Sequence, residues 1–204
     1  MVCKNYSKSV ANEIFMNSAH PLIESDRLLL RLANQDDICE IIKFYSDNQR
    51  FFTPWHRQWV EDFLTESYWQ KRVEKDCEGF ESDKSLKLWI FEKDNPEYIV
   101  GNVNFDNFVR GAGHFCFLGY NLAEAQQGKG YMTEAVRVAI QYVFEELNLH
   151  RVMANYMPHN QRSGNLLKRL EFVVEGYARD YLFINDRWED HVQTSLINSN
   201  WKPS

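Results

Sequence analysis

The sequence predicts a single α+β domain built on a mixed β-sheet. Three successive segments, 87–92, 98–108 and 114–122, are rich in apolar and aromatic residues and are joined by short turns, which indicates an antiparallel meander. A helical pattern follows Gly130, and residues 150–156 then have the pattern of another strand. A strand, a helix and a strand in this order favour a parallel pair joined by a right-handed crossover.

The segments before the meander predict a strand, a helix and an aromatic region. Residues 26–33 alternate charged residues with leucine, as is typical of a strand with one face more exposed to solvent. Asn34 follows in an N-cap position, with two aspartates in the first turn and apolar residues at helical spacing after them. The stretch after Asn48 is dense in aromatic rings, and a helix is expected over about 59–77. These rings can pack onto the sheet or form the wall of a groove for a peptide or another apolar ligand. Different residues of the segment can have these two different roles.

The end of the chain predicts a short helix and a final pair of strands. The helix is expected over 161–170, and the strands near 172–184 and 188–197. Residues 1–20 are polar apart from one apolar trio, which predicts a mobile N-terminal tail or a short docking segment and places the folded domain over 21–204.

Composition limits the classes of function. The chain has 204 residues, of which 44% are hydrophobic and 15% aromatic, so a sizeable core can form and global disorder is excluded. A net charge of −6 argues against a dedicated nucleic-acid binder. Four widely spaced cysteines form no C-x-x-C pair, so neither a metal site nor a disulfide is predicted. The sequence contains no run of about 18 apolar residues and no signal-peptide centre, so a cytoplasmic protein without a membrane span is expected.

A phosphate-binding loop is predicted between the third strand of the meander and the helix after it. The loop ends in Gln127-Gly128-Lys129-Gly130. The first N–H groups of a helix lack backbone partners, and the macrodipole adds positive potential there. Glycines let a phosphate approach that backbone closely. We therefore expect a pyrophosphate at the amides from Gln127 to Thr133, with Lys129 adding charge, the alternative being an ordinary loop.

Two better-known phosphate loops do not fit this stretch. A P-loop needs the pattern G-x-x-x-x-G-K followed by Ser or Thr, which is absent. A Rossmann fingerprint needs G-x-G-x-x-G near the start of the fold, whereas Gly128-x-Gly130 leads to Thr133 and follows three strands that look antiparallel. The context is therefore wrong for dinucleotide binding.

The loop and its surroundings resemble the GNAT family of acetyl-CoA-dependent N-acetyltransferases. The family signature is Arg or Gln, two residues, Gly, one residue, then Gly or Ala; the chain fits it at Gln127 and Gly130 and departs at Met132. The chain also resembles the RimJ type of ribosomal-protein-alanine N-acetyltransferase, from about residue 21 to its end. The segments that carry this closer resemblance are Phe51-Phe52-Thr53-Pro54-Trp55, Asn107-Phe108-Val109-Arg110-Gly111, Met153-Ala154-Asn155-Tyr156-Met157-Pro158-His159-Asn160 and Glu175-Gly176-Tyr177-Ala178-Arg179-Asp180-Tyr181-Leu182.

The resemblance implies a GNAT fold, in which a parallel strand pair is splayed around acetyl-CoA and helices cover both faces of the sheet. It implies direct transfer of acetyl from acetyl-CoA to the α-amine of an N-terminal alanine of a ribosomal protein, S-five. A backbone N–H at Tyr120 to Leu122 would polarise the thioester carbonyl, much as an oxyanion hole does. The cofactor-binding residues it implies are Tyr120, Asn121, Leu122, Gln127, Gly128, Lys129, Gly130, Tyr131, Met132, Thr133, Asn160 and Ser163.

The position of the usual general base departs from the family pattern. Many relatives place a glutamate two residues before the Gly-Tyr pair of the strand, but this chain has Phe117 there. We expect Asp180 to act instead, with Glu134, His114 and His159 as rivals. An α-amine with a pKa near 8 is about one-tenth neutral at pH 7, so a modest base or a water relay would be enough. Asp180 could equally be a solvated or salt-bridged carboxylate at a strand end.

The CoA thiolate also needs a hydrogen-bond or proton donor. Asn160-x-x-Ser163 opens a short helix and matches the family's position beside the pantetheine arm. Asn160 is expected to bind that arm, or to be only an N-cap, and Ser163 is expected to donate to the sulfur. Tyr156 and Tyr177 are weaker candidates for this donor.

Two other functions remain open at this point. The chain could be a GNAT enzyme for a small amine, such as an antibiotic or a polyamine, or a non-catalytic CoA-binding module associated with the ribosome. A protein acceptor predicts an open groove between the aromatic segment after Phe51 and the hairpin turn near Asn185; a small amine predicts a closed, acid-lined pocket. The sequence predicts no contact with nucleic acid or membrane and leaves open a monomer or a dimer.

Overall fold

The computed structural model describes residues 20–203, and within them the chain forms one eight-stranded sheet. The predicted tail therefore falls almost entirely outside the described residues. The strands are β1 Leu22–Glu24, β2 Leu28–Arg31, β3 Leu86–Glu92, β4 Asn95–Val109, β5 Phe115–Leu122, β6 Arg151–Tyr156, β7 Val173–Ile184 and β8 Arg187–Ile197. Their order across the sheet is β1-β2-β3-β4-β5-β6-β8-β7.

The sheet is antiparallel except at its centre, where β5 and β6 run parallel. The meander of β3, β4 and β5 and the crossover into β6 are confirmed. The pairing of β5 with β6 covers Phe115 to Phe117 on one strand and Arg151 to Met153 on the other. Beyond Phe117 the two strands have no pairing with each other although both continue, so the sheet opens there into a gap.

Five α-helices are present in the described part of the chain. They are α1 Ile38–Asp47, α2 Gln49–Phe52, α3 Glu66–Glu81, α4 Tyr131–Glu145 and α5 Gln161–Arg169. Asn34 does cap the first helical turn, through its side chain and the N–H of Asp36. The helix expected over about 59–77 begins later, at Glu66, because Thr65 accepts a hydrogen bond from the Tyr68 N–H and so caps it. No helix among residues 20–203 is long and apolar enough to span a bilayer.

Each face of the sheet carries its own core. On one face, α4 and α5 pack on the sheet through buried aliphatic residues such as Val103, Val136 and Leu167. On the other face, α1 and α3 pack through a mainly aromatic cluster around Tyr45, in which Trp69 stacks on the tyrosine ring at 5.3 Å. The two faces are called the aliphatic face and the aromatic face below.

The aromatic segment after Asn48 serves both purposes that its sequence allowed. Trp59 and Phe63 pack against the cluster on the aromatic face. Phe51, Phe52 and Trp55 line the cavity described next, and Phe51 and Phe52 also contact the cluster. The rings of this one segment therefore contribute both to the core on the aromatic face and to the wall of the cavity.

Candidate active site

A cavity of about 900 Å³ occupies the gap where β5 and β6 separate. It reaches from the start of α4, along the open ends of the two strands, to α2 and the final hairpin. Its walls include, from β5 and β6, Leu118, Gly119, Tyr120, Asn121, Leu122, Ala154, Asn155 and Tyr156. Side chains alternate along a strand, so Tyr120 and Leu122 point to the aliphatic face and Asn121 to the aromatic face. The gap is therefore a passage between the two faces.

The start of α4 is shaped to receive a phosphate group. Gly128 and Gly130 have φ angles of 78° and 82°, a conformation that glycine adopts without strain. A β-carbon on Gly128 would meet nothing within 4 Å, so the space above the loop is open. The Glu134 N–H bonds to the Gly130 carbonyl, which leaves the first amides of the helix to a ligand. Met132, where the family signature has Gly or Ala, is buried in the core.

Eleven of the twelve predicted cofactor residues line this cavity, and Lys129 is the exception. The Lys129 ammonium binds the Gln126 side chain and lies 5.9 Å from the centre of the Tyr131 ring. Arg169 of α5 does line the cavity, and its guanidinium lies 3.5 Å from the Thr133 hydroxyl at the start of α4. Arg169 is thus better placed than Lys129 to supply positive charge to a pyrophosphate.

An ion pair fixes the loop to the rest of the domain. Arg27 binds the Glu134 carboxylate at 2.5 Å and donates to the Lys129 carbonyl at 3.1 Å. Ser25 donates to the same carboxylate at 2.8 Å. Burial opposes ionisation, but the bonds from Arg27 and Ser25 hold the pKa of Glu134 below its usual value. Glu134 therefore acts as an anchor of the loop, and it does not line the cavity.

A pair of hydroxyl groups lies on the aliphatic side of the gap. The Tyr120 hydroxyl is 2.7 Å from the Ser163 hydroxyl. Ser163 is held in place by its position in the first turn of α5, where its N–H donates to the Asn160 side chain at 3.1 Å. Asn160 is therefore an N-cap, and because it also lines the cavity, its amide group can reach a ligand as well.

Of the two weaker candidates for the sulfur donor, one lies in the cavity. Tyr156 lines it and packs on Gly164, where a β-carbon would come within 2.8 Å of the tyrosine ring. Tyr177 is exposed on β7 and donates to Asp190 at 2.6 Å. The two tyrosines thus have different surroundings, and only Tyr156 faces the gap.

The structure does not bring the expected bases to the cavity. Asp180 is exposed in a bulge of β7, with a φ of 46°, and its N–H donates to Asp190. His114 precedes β5 at its far end and contacts Trp201. His159 stacks on Trp55, outside the cavity lining. The assignment of the base to Asp180 stays a prediction, and its position does not favour it.

Several cavity residues could be found only from the fold. On the aromatic side, Asn104 and Asp106 of β4 line the gap, and Asp106 pairs across the strands with Phe117, where the family glutamate would stand. Asp106 is bound by Lys87 at 2.5 Å. Asn155 donates to Tyr181 at 3.3 Å while its Oδ1 is buried with no partner among the described residues, so an acceptor atom is left for a ligand.

One sequence signal for the missed residues did exist. Arg162, Asn165, Leu166 and Arg169 all line the cavity and lie at positions i, i+3, i+4 and i+7 of α5. This spacing places them on one face of the helix. Once Asn160 and Ser163 are assigned to the site, the two arginines follow from helical periodicity.

Together these features fit a transferase whose acyl carrier contains a pyrophosphate. A phosphate-binding helix start, a gap between parallel strands and a hydroxyl pair beside that gap suit CoA and its thioester. Residues 27–173 match the acetyltransferase (GNAT) domain family. The chain belongs to this family, whose acetyl donor is acetyl-CoA.

The chain is also similar to particular members of this family. It is 42% identical over 181 residues to the ribosomal protein uS5-alanine N-acetyltransferase of Escherichia coli K12, covering 89% of this chain and 93% of that one. It is 34% identical over 177 residues to the probable N-acetyltransferase YjcK of Bacillus subtilis, covering 87% and 97%. Among solved structures, the ribosomal-protein-S5-alanine acetyltransferase of Vibrio fischeri superposes with a TM-score of 0.86 at 36% identity, covering 90% and 100%.

Proposed function

We propose that this chain transfers the acetyl group of acetyl-CoA to the α-amine of the N-terminal alanine of ribosomal protein uS5. The observation that carries the proposal is the 42% identity to the Escherichia coli enzyme of that name, over 93% of its length. A ribosomal acceptor would place the reaction in the cytoplasm.

The lining of the aromatic side supports a peptide acceptor over a polyamine. A polyamine carries several positive charges, and its site needs several carboxylates to balance them. Asp106 is the one carboxylate among the residues that line the cavity, and Lys87 already neutralises it. Apolar side chains such as Phe52, Trp55 and Leu182 line the same region and suit the small, uncharged side chain of an N-terminal alanine.

The groove predicted for a protein acceptor is bridged at one point. The Asn185 N–H donates to the His56 carbonyl at 3.2 Å, and Gln58 binds the Asp186 carboxylate. The aromatic segment and the turn of the final hairpin therefore touch each other. An acceptor enters beside this bridge, and only its first residue needs to reach the gap.

The chemistry divides between the two sides of the sheet. The amides at the start of α4 and Arg169 hold the pyrophosphate on the aliphatic side. A backbone N–H from Tyr120 to Leu122 polarises the thioester carbonyl inside the gap. The neutral amine attacks that carbonyl from the aromatic side, and the Tyr120–Ser163 pair supplies the proton that the departing thiolate takes up.

Mass spectrometry of the products tests the proposal. The protein is incubated with acetyl-CoA and a peptide that copies the uS5 N-terminus and contains an internal lysine. The expected product carries one acetyl group on the terminal alanine. The matched control is the same peptide with two methyl groups on its α-nitrogen. This nitrogen can no longer be acetylated, so only the lysine can react.

Each competing function predicts a different result in this experiment. Spermidine is tested as a third acceptor. Its acetylation without acetylation of either peptide would show a small-amine enzyme and contradict the proposal. Acetyl-CoA binding, measured by calorimetry, without any acetylated product would show a non-catalytic CoA-binding module.

A further inference from the structure

His56 is held at two points on the aromatic side of the gap. It follows the short helical turn 53–55 and lines the cavity. Its ring Nε2 lies 2.7 Å from the Asn121 Oδ1, and its backbone carbonyl accepts the Asn185 N–H. The Phe52 ring lies 5.7 Å from the imidazole, centre to centre. The position and the plane of the imidazole are therefore set by the fold.

A chain of side-chain amides determines which ring nitrogen carries the hydrogen. Asn102 Nδ2 donates to the Tyr45 hydroxyl at 3.3 Å, and the Asn102 Oδ1 accepts from Asn104 and Asn121, at 2.9 and 3.0 Å. Asn121 thus uses its Nδ2 on Asn102 and presents its Oδ1 to His56. Because an amide oxygen only accepts, His56 donates from Nε2, and its Nδ1 keeps a free lone pair.

This Nδ1 is available to a substrate. Among residues 20–203 it has no hydrogen-bond partner, and it is not sealed from solvent. The residue that fixes the ring, Asn121, stands between Tyr120 and Leu122 on β5, the strand expected to polarise the thioester carbonyl. The imidazole therefore faces the side of the gap from which an amine must approach that carbonyl.

We propose that His56 is the general base of the acetyl transfer and that Asn121 is the residue that positions it. The inference rests on the proposed function and deepens it. The amine nitrogen forms a bond to the carbonyl carbon as the bond from that carbon to sulfur breaks. The proton lost by the nitrogen passes to His56 Nδ1 and then to solvent, while the thiolate receives a proton from the Ser163–Tyr120 pair, which regains one from solvent.

The electrostatic surroundings keep this imidazole neutral. Burial lowers the pKa of His56, and the hydrogen bond to Asn121 opposes that effect in part. Three other titratable or charged groups line this part of the cavity. Asp106 is paired with Lys87, Arg162 lies over the Phe51 ring, and His191 bonds to the Glu189 carbonyl. Asp186, in the hairpin turn beside the cavity, is bound by Gln58. A neutral imidazole at pH 7 can accept a proton, as a base must.

The pH dependence of kcat/KM for the alanine-headed peptide tests the proposal. Two groups must be deprotonated, the free amine with a pKa near 8 and His56 with a pKa below about 6.5. The logarithm of kcat/KM should therefore rise with a slope of about two at low pH and about one between the two pKa values. In His56→Gln the lower break should disappear, the slope should stay near one, and kcat should fall by about a hundredfold. The KM for acetyl-CoA should change little.

Asn121→Asp provides the test of positioning. A carboxylate beside Nε2 raises the pKa of an imidazole, so the lower break should move to higher pH. A purely structural role of Asn121 would lower the rate without moving the break.

Two further results would overturn the proposal. One is a lower break that survives in His56→Gln and is lost instead in Asp106→Asn or Asp180→Asn, which would assign the base to that carboxylate. The other is a nitrogen-15 NMR spectrum in which His56 carries its hydrogen on Nδ1, a result that needs no turnover. If the wild type acetylates a different amine, the proposed acceptor is wrong, and the profile measured with that amine still decides the role of His56.

Discussion

The Tyr120 hydroxyl lies 2.7 Å from the Ser163 hydroxyl, at the point where β5 and the first turn of α5 meet. Burial raises the pKa of Tyr120 to about 12, against the opposing effect of the Ser163 hydrogen bond. Tyr120 is therefore protonated at neutral pH and can pass a proton through Ser163. The two residues form one donor unit beside the gap.

Substitutions in this unit should lower the rate without additivity. Tyr120→Phe and Ser163→Ala should each reduce kcat by about ten- to a hundredfold, because each removes one hydroxyl of the same donor. The double variant should be about as slow as the slower single variant, since residues that act as a unit are not additive. Steady-state kinetics measures this, and effects that multiply would show that the two hydroxyls act separately.

Arg169→Gln should weaken acetyl-CoA binding by about tenfold, because it removes a positive charge that lies 3.5 Å from the Thr133 hydroxyl at the start of α4. Arg137→Gln is the matched control, since Arg137 is an exposed residue of α4 outside the cavity and the change in charge is the same. Isothermal calorimetry at two salt concentrations measures both. Equal losses in the two variants would indicate a general charge effect rather than a contact.

Lys129→Gln should weaken acetyl-CoA binding less than Arg169→Gln does. The Lys129 ammonium is turned towards Gln126, whereas the guanidinium of Arg169 faces the cavity. The same calorimetry compares the two variants. A larger loss in Lys129→Gln would support the role that the sequence suggests for this lysine.

Glu134→Gln should loosen the phosphate loop in a pH-dependent way. The variant keeps a hydrogen-bond acceptor for Ser25 but loses the charge that holds Arg27. Because the folded pKa of Glu134 lies below that of an unfolded glutamate, about 4.3, the wild type gains this stability above that pH and loses it as the pH falls through the folded pKa. Urea unfolding should show a gap between wild type and variant at pH 7 that closes in acid. A constant gap would contradict the assignment.

Gly164→Ala should displace the Tyr156 ring. The added carbon would come within 2.8 Å of that ring, and the overpacking costs about 1–3 kcal/mol, partly offset by the better helix propensity of alanine. The melting temperature should fall and the KM for acetyl-CoA should rise. Adding Tyr156→Leu should restore the melting temperature but not the KM. If the double variant is as unstable as the single one, the clash lies elsewhere.

The sequence predicts the parts of this fold that depend on local pattern. The meander, the crossover and the glycine loop before α4 follow from hydrophobic periodicity and from glycines before a helix, and all are found where expected. Phosphate binding by that loop stays a prediction. The late start of α3 is a local effect as well, but it depends on the Thr65 cap, which aromatic periodicity over 59–77 conceals.

Residues that meet only through sheet register are not predictable in this way. Asp106 reaches the position beside Phe117 because of the pairing of β4 with β5. His56 reaches Asn121 across 65 positions of the chain. The location of Asp180 could not be predicted either, since the bulge in β7 gives it a left-handed backbone and an exposed position that strand alternation does not indicate.

The gap between β5 and β6 lets the two substrates of the proposed reaction enter from opposite faces of the sheet and meet inside it. Acetyl-CoA and the acceptor would each have a separate entrance, so either one could bind or dissociate while the other stays bound. A single compound that joined CoA to a peptide with an N-terminal alanine would pass through the sheet, with one half on each face. Neither half could then dissociate without passing through the gap. The length of the linker would be set by the depth of the gap, and therefore by the backbone of β5 and β6.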